Sequence, residues 1–472
     1  MDMKVKAMDD QRASHDWRPA IRKGTSPLYL AIADALAADI QSGALAPGDR
    51  LPPQRALAEV LDIDFTTVSR AYAEARRRGL VEGRVGQGTY VRSGRTEPGS
   101  RAPDSGIVDM AMNLPPQFDD AGLTARLWDV IADLKSSGLD ILLRYQEAGG
   151  IAADRAAGAA WLGSDIPGLS AGRLLVCPGA QGALLALVTS LNKPGQPVAV
   201  EQLCHPGFRS LAAHLAIPLT PVAMDEEGLL PDAFEAVCRR DAPALLYCTP
   251  TLHNPTTATM TRERREAVIA VARKYGVLII EDDAYGKLSG GGEPPLAALA
   301  SDIVYHVAGF SKCLSPALRI AYVAAPDARG ATRLAGAIRA TTAMASPLSA
   351  AIATRWIETG LEHDALLAIR AETEARRATA VRLLEEHGLV SARNAFHAWL
   401  PLAGDWSRGE LAARLRTAGI GVVTSDAFAV GQPPEAVRIG FGAAPTRERL
   451  TSSLQLIADL LGQSPTMSSM VV

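Results

Sequence analysis

Apolar residues Leu28, Ile32, Leu36 and Ile40 recur every fourth position from Ser26 onward, with Tyr29 and Ala33 beside them. That spacing predicts an amphipathic helix, stopped by Ser42-Gly43. Pro47-Gly48-Asp49 and Pro52-Pro53 read as a short extended connection. A compact helix is expected over Gln54 to Leu61, a turn at Asp62-Ile63-Asp64, and a further helix from Thr66 to Arg78. Leu80 to Val91 then alternates around Gly83, Gly86 and Gly88, the pattern of a glycine-rich hairpin.

The pattern changes after residue 93. Ser93 to Ser105 carries Gly94, Thr96, Pro98, Gly99, Ser100 and Pro103 with almost nothing apolar, the composition of a linker. Beyond it, apolar runs suited to buried strands alternate with helical stretches. The strand candidates are Leu174–Cys177, Val198–Val200, Ala244–Thr249, Val277–Glu281, Ile303–Val307 and Arg319–Ala324; Gln181–Leu191 and Arg262–Tyr275 read as helices. Such alternation predicts an α/β layer with a mostly parallel, buried sheet. From about Ser346 the chain reads as helix-rich, with a small α+β tail around Phe396 to Ile439. The expected organisation is a mobile segment over 1–23, a helix-rich unit with a hairpin over 24–93 and a linker over 94–107. An α/β domain follows over 108–464, then a C-terminal tail over 465–472.

Composition narrows the class. At 472 residues the chain exceeds one ordinary core, and 48% hydrophobic with 21% charged residues is ordinary for a globular protein. The net charge of −3 says nothing about nucleic acid until its distribution is examined. Five cysteines (177, 204, 238, 248, 313) are scattered and form no Cys-x-x-Cys pair, which argues for reduced thiols and against a metal site or disulfide scaffold. The first twenty residues are charged throughout and lack an apolar core, unlike a signal peptide. No apolar run reaches spanning length, so a cytoplasmic protein without a membrane partner is expected.

The chemistry concentrates in one stretch. Lys312 sits in Gly309-Phe310-Ser311-Lys312-Cys313-Leu314-Ser315-Pro316-Ala317-Leu318-Arg319, downstream of Asn254-Pro255-Thr256-Thr257 and Asp282-Asp283-Ala284-Tyr285. An aldehyde cofactor needs an amine to hold it as a Schiff base, and lysine supplies one. A pyridine ring needs a carboxylate to keep its nitrogen protonated, and a phosphate needs an arginine and backbone N–H donors. Singly, such an Asp is a cap, the Asn a turn residue and the Lys a solvated charge. In this order, after buried strands, they resemble the site of fold-type I enzymes that use pyridoxal 5′-phosphate.

That resemblance implies that Lys312 carries the cofactor, that Asp282 pairs with the ring nitrogen, and that Asn254 and Tyr285 hydrogen-bond the ring hydroxyl oxygen. The phosphate would rest on Arg319, Ser311 and the backbone amides of Gly179-Ala180-Gln181-Gly182, a glycine turn opening a helix. Tyr145 matches a tyrosine that reaches the neighbouring subunit's phosphate; a helix-flanking surface tyrosine is the competing reading. Arg438, in Val437-Arg438-Ile439-Gly440-Phe441, matches the arginine that grips an amino acid's carboxylate, a task for a planar two-donor fork. Three departures stand out: His205 replaces the usual ring-stacking Tyr or Phe, Gly309 replaces a phosphate-binding Ser or Thr, and Ala321 replaces the glycine after Arg319-Ile320.

Upstream, helix, short helix, tight turn, helix and hairpin follow the order of a winged helix-turn-helix. Pro27-Leu28-Tyr29, Leu45 to Pro52, Arg55-x-Leu57-Ala58, Thr67-Val68-x-Arg70-Ala71-Tyr72 and Gly86-x-Gly88-Thr89-Tyr90-Val91 resemble the GntR-type winged helix. The resemblance implies that Arg50 and Arg55 meet phosphate, that Thr66, Thr67, Ser69 and Arg70 face the major groove or its flanking phosphates, and that the wing, Arg84 to Thr89, lies by the minor groove. Arg76-Arg77-Arg78 reads more simply as a solvated helix end, where cations suit the dipole. Phe65 stands where the family usually has arginine.

A GntR-type winged helix fused to a fold-type I domain resembles the MocR family of bacterial regulators over almost the whole chain, Ser26 to Leu461. The resemblance implies a homodimeric transcription factor that binds a double-stranded DNA operator and senses pyridoxal phosphate or an amino-compound effector. A working aminotransferase with an accessory winged helix is the competing reading, because fold does not decide function.

Overall fold

The computed structural model describes residues 17–19, 27–46, 48–78, 80–84, 88–91, 108–138, 142–404 and 406–463. The chain forms two compact units that divide between Ser105 and Gly106. The expected linker, most of the N-terminal segment and the C-terminal tail lie outside the described residues. Within that first segment Trp17 is described, and it is not loose: its Nε1 donates to Asp39 Oδ2 at 2.9 Å.

In the N-terminal unit, α1 (Leu28–Gln41), α2 (Gln54–Leu61) and α3 (Phe65–Arg77) precede an antiparallel hairpin of Val81–Arg84 with Gly88–Val91. The every-fourth apolar positions bury Ile32 and Leu36 of α1, while Leu57, Val68, Tyr72 and Val91 close the core from the other elements. Tyr72 does not leave its hydroxyl orphaned; it donates to Pro52 O at 2.8 Å. α3 starts one residue earlier than the pattern suggested because Asp64 is its N-cap, accepting from Thr66 N at 2.7 Å.

The second unit is built on a seven-stranded sheet in the order Leu174–Cys177, Ala321–Ala324, Val304–Gly309, Leu278–Asp282, Leu245–Cys248, Val198–Glu201, Leu219–Val222. Only Ala321–Ala324 runs antiparallel to its neighbours. The strands are apolar on both faces, as helices on both sides require: the Gly179–Leu191 helix covers one face, the Ala152–Gly163 and Arg262–Tyr275 helices the other. A helix over Leu361–Leu384 leads to a smaller body with a three-stranded antiparallel sheet, His397–Pro401, Ala436–Gly440 and Val423–Thr424. The residues just after the linker join that body, since Val108–Asp109 pairs in parallel with Ile420–Gly421. Among the described residues no helix is long and apolar enough to cross a membrane.

Candidate functional site: a buried lysine among strand ends

Parallel strands deliver their C-terminal ends to one edge of the sheet, and the motif residues are gathered there. Asp282 closes the strand Leu278–Asp282, and Lys312 follows Val304–Gly309 by three residues. Gly179 opens the helix after Leu174–Cys177. Asp282 is buried; its Oδ2 accepts from the Tyr247 hydroxyl at 2.7 Å, while Oδ1 has no partner. Burial pushes its carboxyl up to about 6, a rise held back by the Tyr247 hydrogen bond and by the charge of Lys312.

Lys312 is held by the backbone. Its Nζ donates to Asn113 O at 2.5 Å. Burial lowers the ammonium from 10.5 to about 8, Arg438 and Arg319 add repulsion, and Asp282 opposes the shift. Tyr285 is buried, and its hydroxyl accepts from Asn113 Nδ2 at 2.6 Å, which leaves the phenolic proton to donate elsewhere. Asn254 Oδ1 accepts from Arg438 Nη1 at 3.0 Å, leaving the amide nitrogen as donor. Arg438 also donates to Ala111 O and lies 5.3 Å from the Phe428 ring, while its Nε has no partner.

At the glycine turn, Gly179 takes φ +76°, and a Cβ there would sit 3.0 Å from the Arg319 guanidinium. Arg319 itself has φ 52° and is exposed. Ala180 and Gln181 form the first turn of the helix; Gln181 Nε2 is used internally, donating to Gly207 O at 2.8 Å. Ser311, beside Lys312, is half-buried with no described side-chain bond. His205 precedes the Pro206–His214 helix, and burial with the nearby Lys312 and Arg438 charges lowers its imidazole to about 4. It is therefore neutral near pH 7, with Nδ1 unpartnered. Tyr145 is not among this group; it stands 90% exposed on the surface.

Pyridoxal phosphate fits these residues. Asp282 offers a buried, unpartnered acceptor, Tyr285 and Asn254 keep donors in reserve, and the Gly179 amide turn faces a guanidinium across a gap that a methyl would fill. Asn113, Tyr247, His397, Ala111 and Phe428 were absent from the sequence reading. Asn113 bridges Lys312 and Tyr285 from residues just past the linker, and His397 is buried with Nε2 donating to His253 O at 3.2 Å. Burial and Arg438 lower His397 to about 3, so it too is neutral.

On the winged helix, Arg55 and Arg70 are exposed, Arg50, Thr67 and Ser69 half-exposed. Arg70 stacks on the Tyr29 ring at 4.4 Å, and Arg55 lies 5.9 Å from the exposed ring of Phe65. Thr66 is exposed at the helix start, but its hydroxyl is engaged with the capping carboxylate of Asp64, so it is a weaker reader of DNA than its position alone suggests. The Arg84 backbone pairs with Gly88; its side chain lies outside the described residues. Arg77 and Arg78 pair with Glu74, and Arg78 also with Asp34, which supports the simpler reading of the triple arginine.

Residues 106–457 match the family of aminotransferases of class I and II, and residues 28–91 match the bacterial regulatory proteins of the gntR family. YdeF of Bacillus subtilis, named an uncharacterized HTH-type transcriptional regulator, is 31% identical over 453 residues, 94% of this chain and 96% of its own length. PtsJ of Salmonella typhimurium, named the vitamin B6 salvage pathway transcriptional repressor, is 28% identical over 413 residues, 86% of this chain and 93% of its own. Among solved structures, LysN of Thermus thermophilus, an α-aminoadipate aminotransferase complexed with N-(5′-phosphopyridoxyl)-L-leucine, superimposes with a TM-score of 0.69 at 23% identity. It covers 78% of this chain and 94% of its own. With a gntR-type winged helix joined to a class I and II aminotransferase domain, and a regulator matched nearly end to end, this chain belongs to the MocR-type family of transcriptional regulators.

Proposed function

We propose that the chain is a DNA-binding regulator whose aminotransferase-like domain holds pyridoxal phosphate and senses it, or an amino compound that reacts with it. The observation carrying this reading is Lys312, a half-buried amine lowered to about 8 within the field of the buried Asp282 carboxylate, in a chain that also carries a winged helix. Pyridoxal phosphate supplies an aldehyde that exchanges reversibly between amines. Toward it, Lys312 would be the tether and Asp282 the anion that would keep the ring nitrogen protonated. Tyr285 and Asn254 would hydrogen-bond the ring hydroxyl, and Arg319 with the Gly179–Gln181 amides would hold the phosphate. His205, neutral, would pack against the ring.

Arg438 would meet the carboxylate of an effector amine that competed with Lys312 for the aldehyde; its hydrogen-bond partners among the described residues are the neutral acceptors Asn254 Oδ1 and Ala111 O. Arg438 lies on the smaller body, so capture there changes which arrangement of that body is favoured, provided the effector binds one arrangement better than another. A second copy of the chain completes the site through Tyr145, and two winged helices suit paired half-sites on double-stranded DNA.

The test pairs two readouts on the full-length protein. Operator titration is followed with and without pyridoxal phosphate and across a panel of amino acids, alongside steady-state turnover with amino acid and keto acid. Operator affinity that responds to cofactor or amine, at negligible turnover, is the expected result. Steady turnover with operator affinity indifferent to both would assign the domain to catalysis instead.

A further inference from the structure

A cavity of about 680 Å³ opens on the aminotransferase-like domain, lined by the residues that follow Tyr285 but not by Tyr285 or Lys312 themselves. Its walls come from the turn Gly286–Ser289, the loop Gly290–Pro295, the start of the Arg262–Tyr275 helix, the Leu361–Leu384 helix and residues 164–167. None of the residues assigned to the cofactor lines it. Its volume falls within the range of small-molecule pockets, about 300–1,000 Å³.

Two charged groups on its walls are incompletely answered by the protein. Asp283 is 8% exposed, and its Oδ1 has no hydrogen-bond partner. Its other oxygen lies 3.8 Å from His306 Nε2, itself without a hydrogen bond. The glycine at 286 is what admits this carboxylate, because a Cβ there would fall 1.9 Å from Asp283 Oδ2. A buried carboxylate oxygen left without a donor is costly, so a group supplying the donor binds there favourably.

The second group is Arg370, which reaches in from the Leu361–Leu384 helix. It donates from Nε to Leu288 O at 3.0 Å and from Nη2 to Lys287 O, both neutral acceptors, and makes no ion pair among the described residues. The other charges are already spoken for or solvated. Lys287 is taken by Asp165 at 2.7 Å, Trp161 O at 2.6 Å and Ser164 Oγ at 3.0 Å. Arg262 pairs with Glu266 at 3.4 Å, both more than half exposed. What the cavity leaves open is a hydrogen-bond donor for Asp283 Oδ1, whose sister oxygen has only His306 at 3.8 Å, and an anion for Arg370.

We propose that this cavity is a second ligand site, separate from the lysine site, for a compact zwitterion whose ammonium group meets Asp283 and whose carboxylate meets Arg370. Its occupant reports to the first site through one turn. Tyr285 caps Gly286–Ser289, whose backbone carbonyls at Lys287 and Leu288 are the ones Arg370 holds. Drawing Arg370 toward a carboxylate loosens that grip on the turn carrying Tyr285.

Calorimetric titration of the full chain tests this, in a Lys312→Ala, Arg438→Ala background that removes the tether and the carboxylate grip of the first site. The probes are straight-chain ω-amino acids of increasing length, with monoamines and monocarboxylates of equal length as controls. At least one zwitterion should bind with a dissociation constant below about 10 mM, and neither half-molecule should match it. Asp283→Asn and Arg370→Gln should each weaken that binding by about tenfold or more. Should Asp283→Asn fail to fold, Arg370→Gln decides alone, since Arg370 holds only backbone carbonyls. No binding by any zwitterion, or binding that persists undiminished in the folded variants, overturns the proposal.

Discussion

The basicity of Lys312 is the quantity on which the proposed site depends. Placed at about 8 rather than 10.5, the amine is unprotonated in about 10% of molecules at pH 7 instead of about 0.03%, a gain of roughly 300-fold in the form that attacks an aldehyde. Burial is the main cause and the Arg438 charge the next, so Arg438→Met should raise the lysine's pKa, with each unit of rise slowing capture at neutral pH about tenfold. The assay is stopped-flow absorbance of pyridoxal phosphate capture by cofactor-free protein as pH is raised. Wild type should inflect near 8 and Arg438→Met higher, the two converging in alkali; Arg438→Lys, which keeps the charge, should stay closer to wild type. A wild-type inflection near the ordinary lysine value, or an Arg438→Met inflection that is unchanged or lower, refutes the reasoning.

Asp282→Asn should move the same inflection the opposite way, below that of wild type, because Asp282 is the one nearby charge that raises the lysine. Arg55→Ala should weaken operator binding and lower the slope of log affinity against log salt by about 1, whereas Arg77→Ala, whose guanidinium is tied to Glu74, should leave that slope alone. Equal slopes for both variants would remove Arg55 from the phosphate contacts. Arg265→Met should destabilise the second unit by about 1–3 kcal/mol in urea unfolding, because it takes the guanidinium donors from the buried acceptors Met260 O, Pro250 O and Thr251 Oγ1, while Glu281, 3.6 Å away, keeps His306 and two backbone amides.

How much of this was legible in the chain follows from the range of each interaction. The winged helix was readable because its elements are set by i, i+4 spacing and turn residues, local signals, while the Asp64 cap that fixes the start of α3 reads in the chain as part of the turn. The edge strand Leu219–Val222 escaped because Pro221 argues against a strand, yet at the end of the sheet order a missing N–H costs little. The run Arg319–Ala324 begins its strand two residues late because Arg319, at φ 52°, leaves extended backbone to meet Gly179. In the site, Lys312, Asp282, Asn254 and Tyr285 announce themselves by chain-local motifs. Asn113 has no such signal, since its partners Tyr285 and Lys312 lie 172 and 199 residues away and only the fold brings them to it.

Two departures that read separately in the sequence become one in the structure. Gly309 and Ala321 are partners across the antiparallel pair, and a Cβ on Gly309 would lie 2.8 Å from Ile320 O and 3.0 Å from the Ala321 methyl. The first obstacle is the Ile320 carbonyl, which no change at 321 removes, and the Ala321 methyl is the second, so the backbone itself favours glycine at 309. In the proposed site the phosphate would then rest on backbone amides, Ser311 and Arg319. Gly309→Ser alone should therefore destabilise the strand pair, and adding Ala321→Gly should recover only the part due to the methyl, because the Ile320 carbonyl stays 2.8 Å from the new Cβ. Chemical denaturation of the two variants measures both parts, and a single variant as stable as wild type would refute the clash.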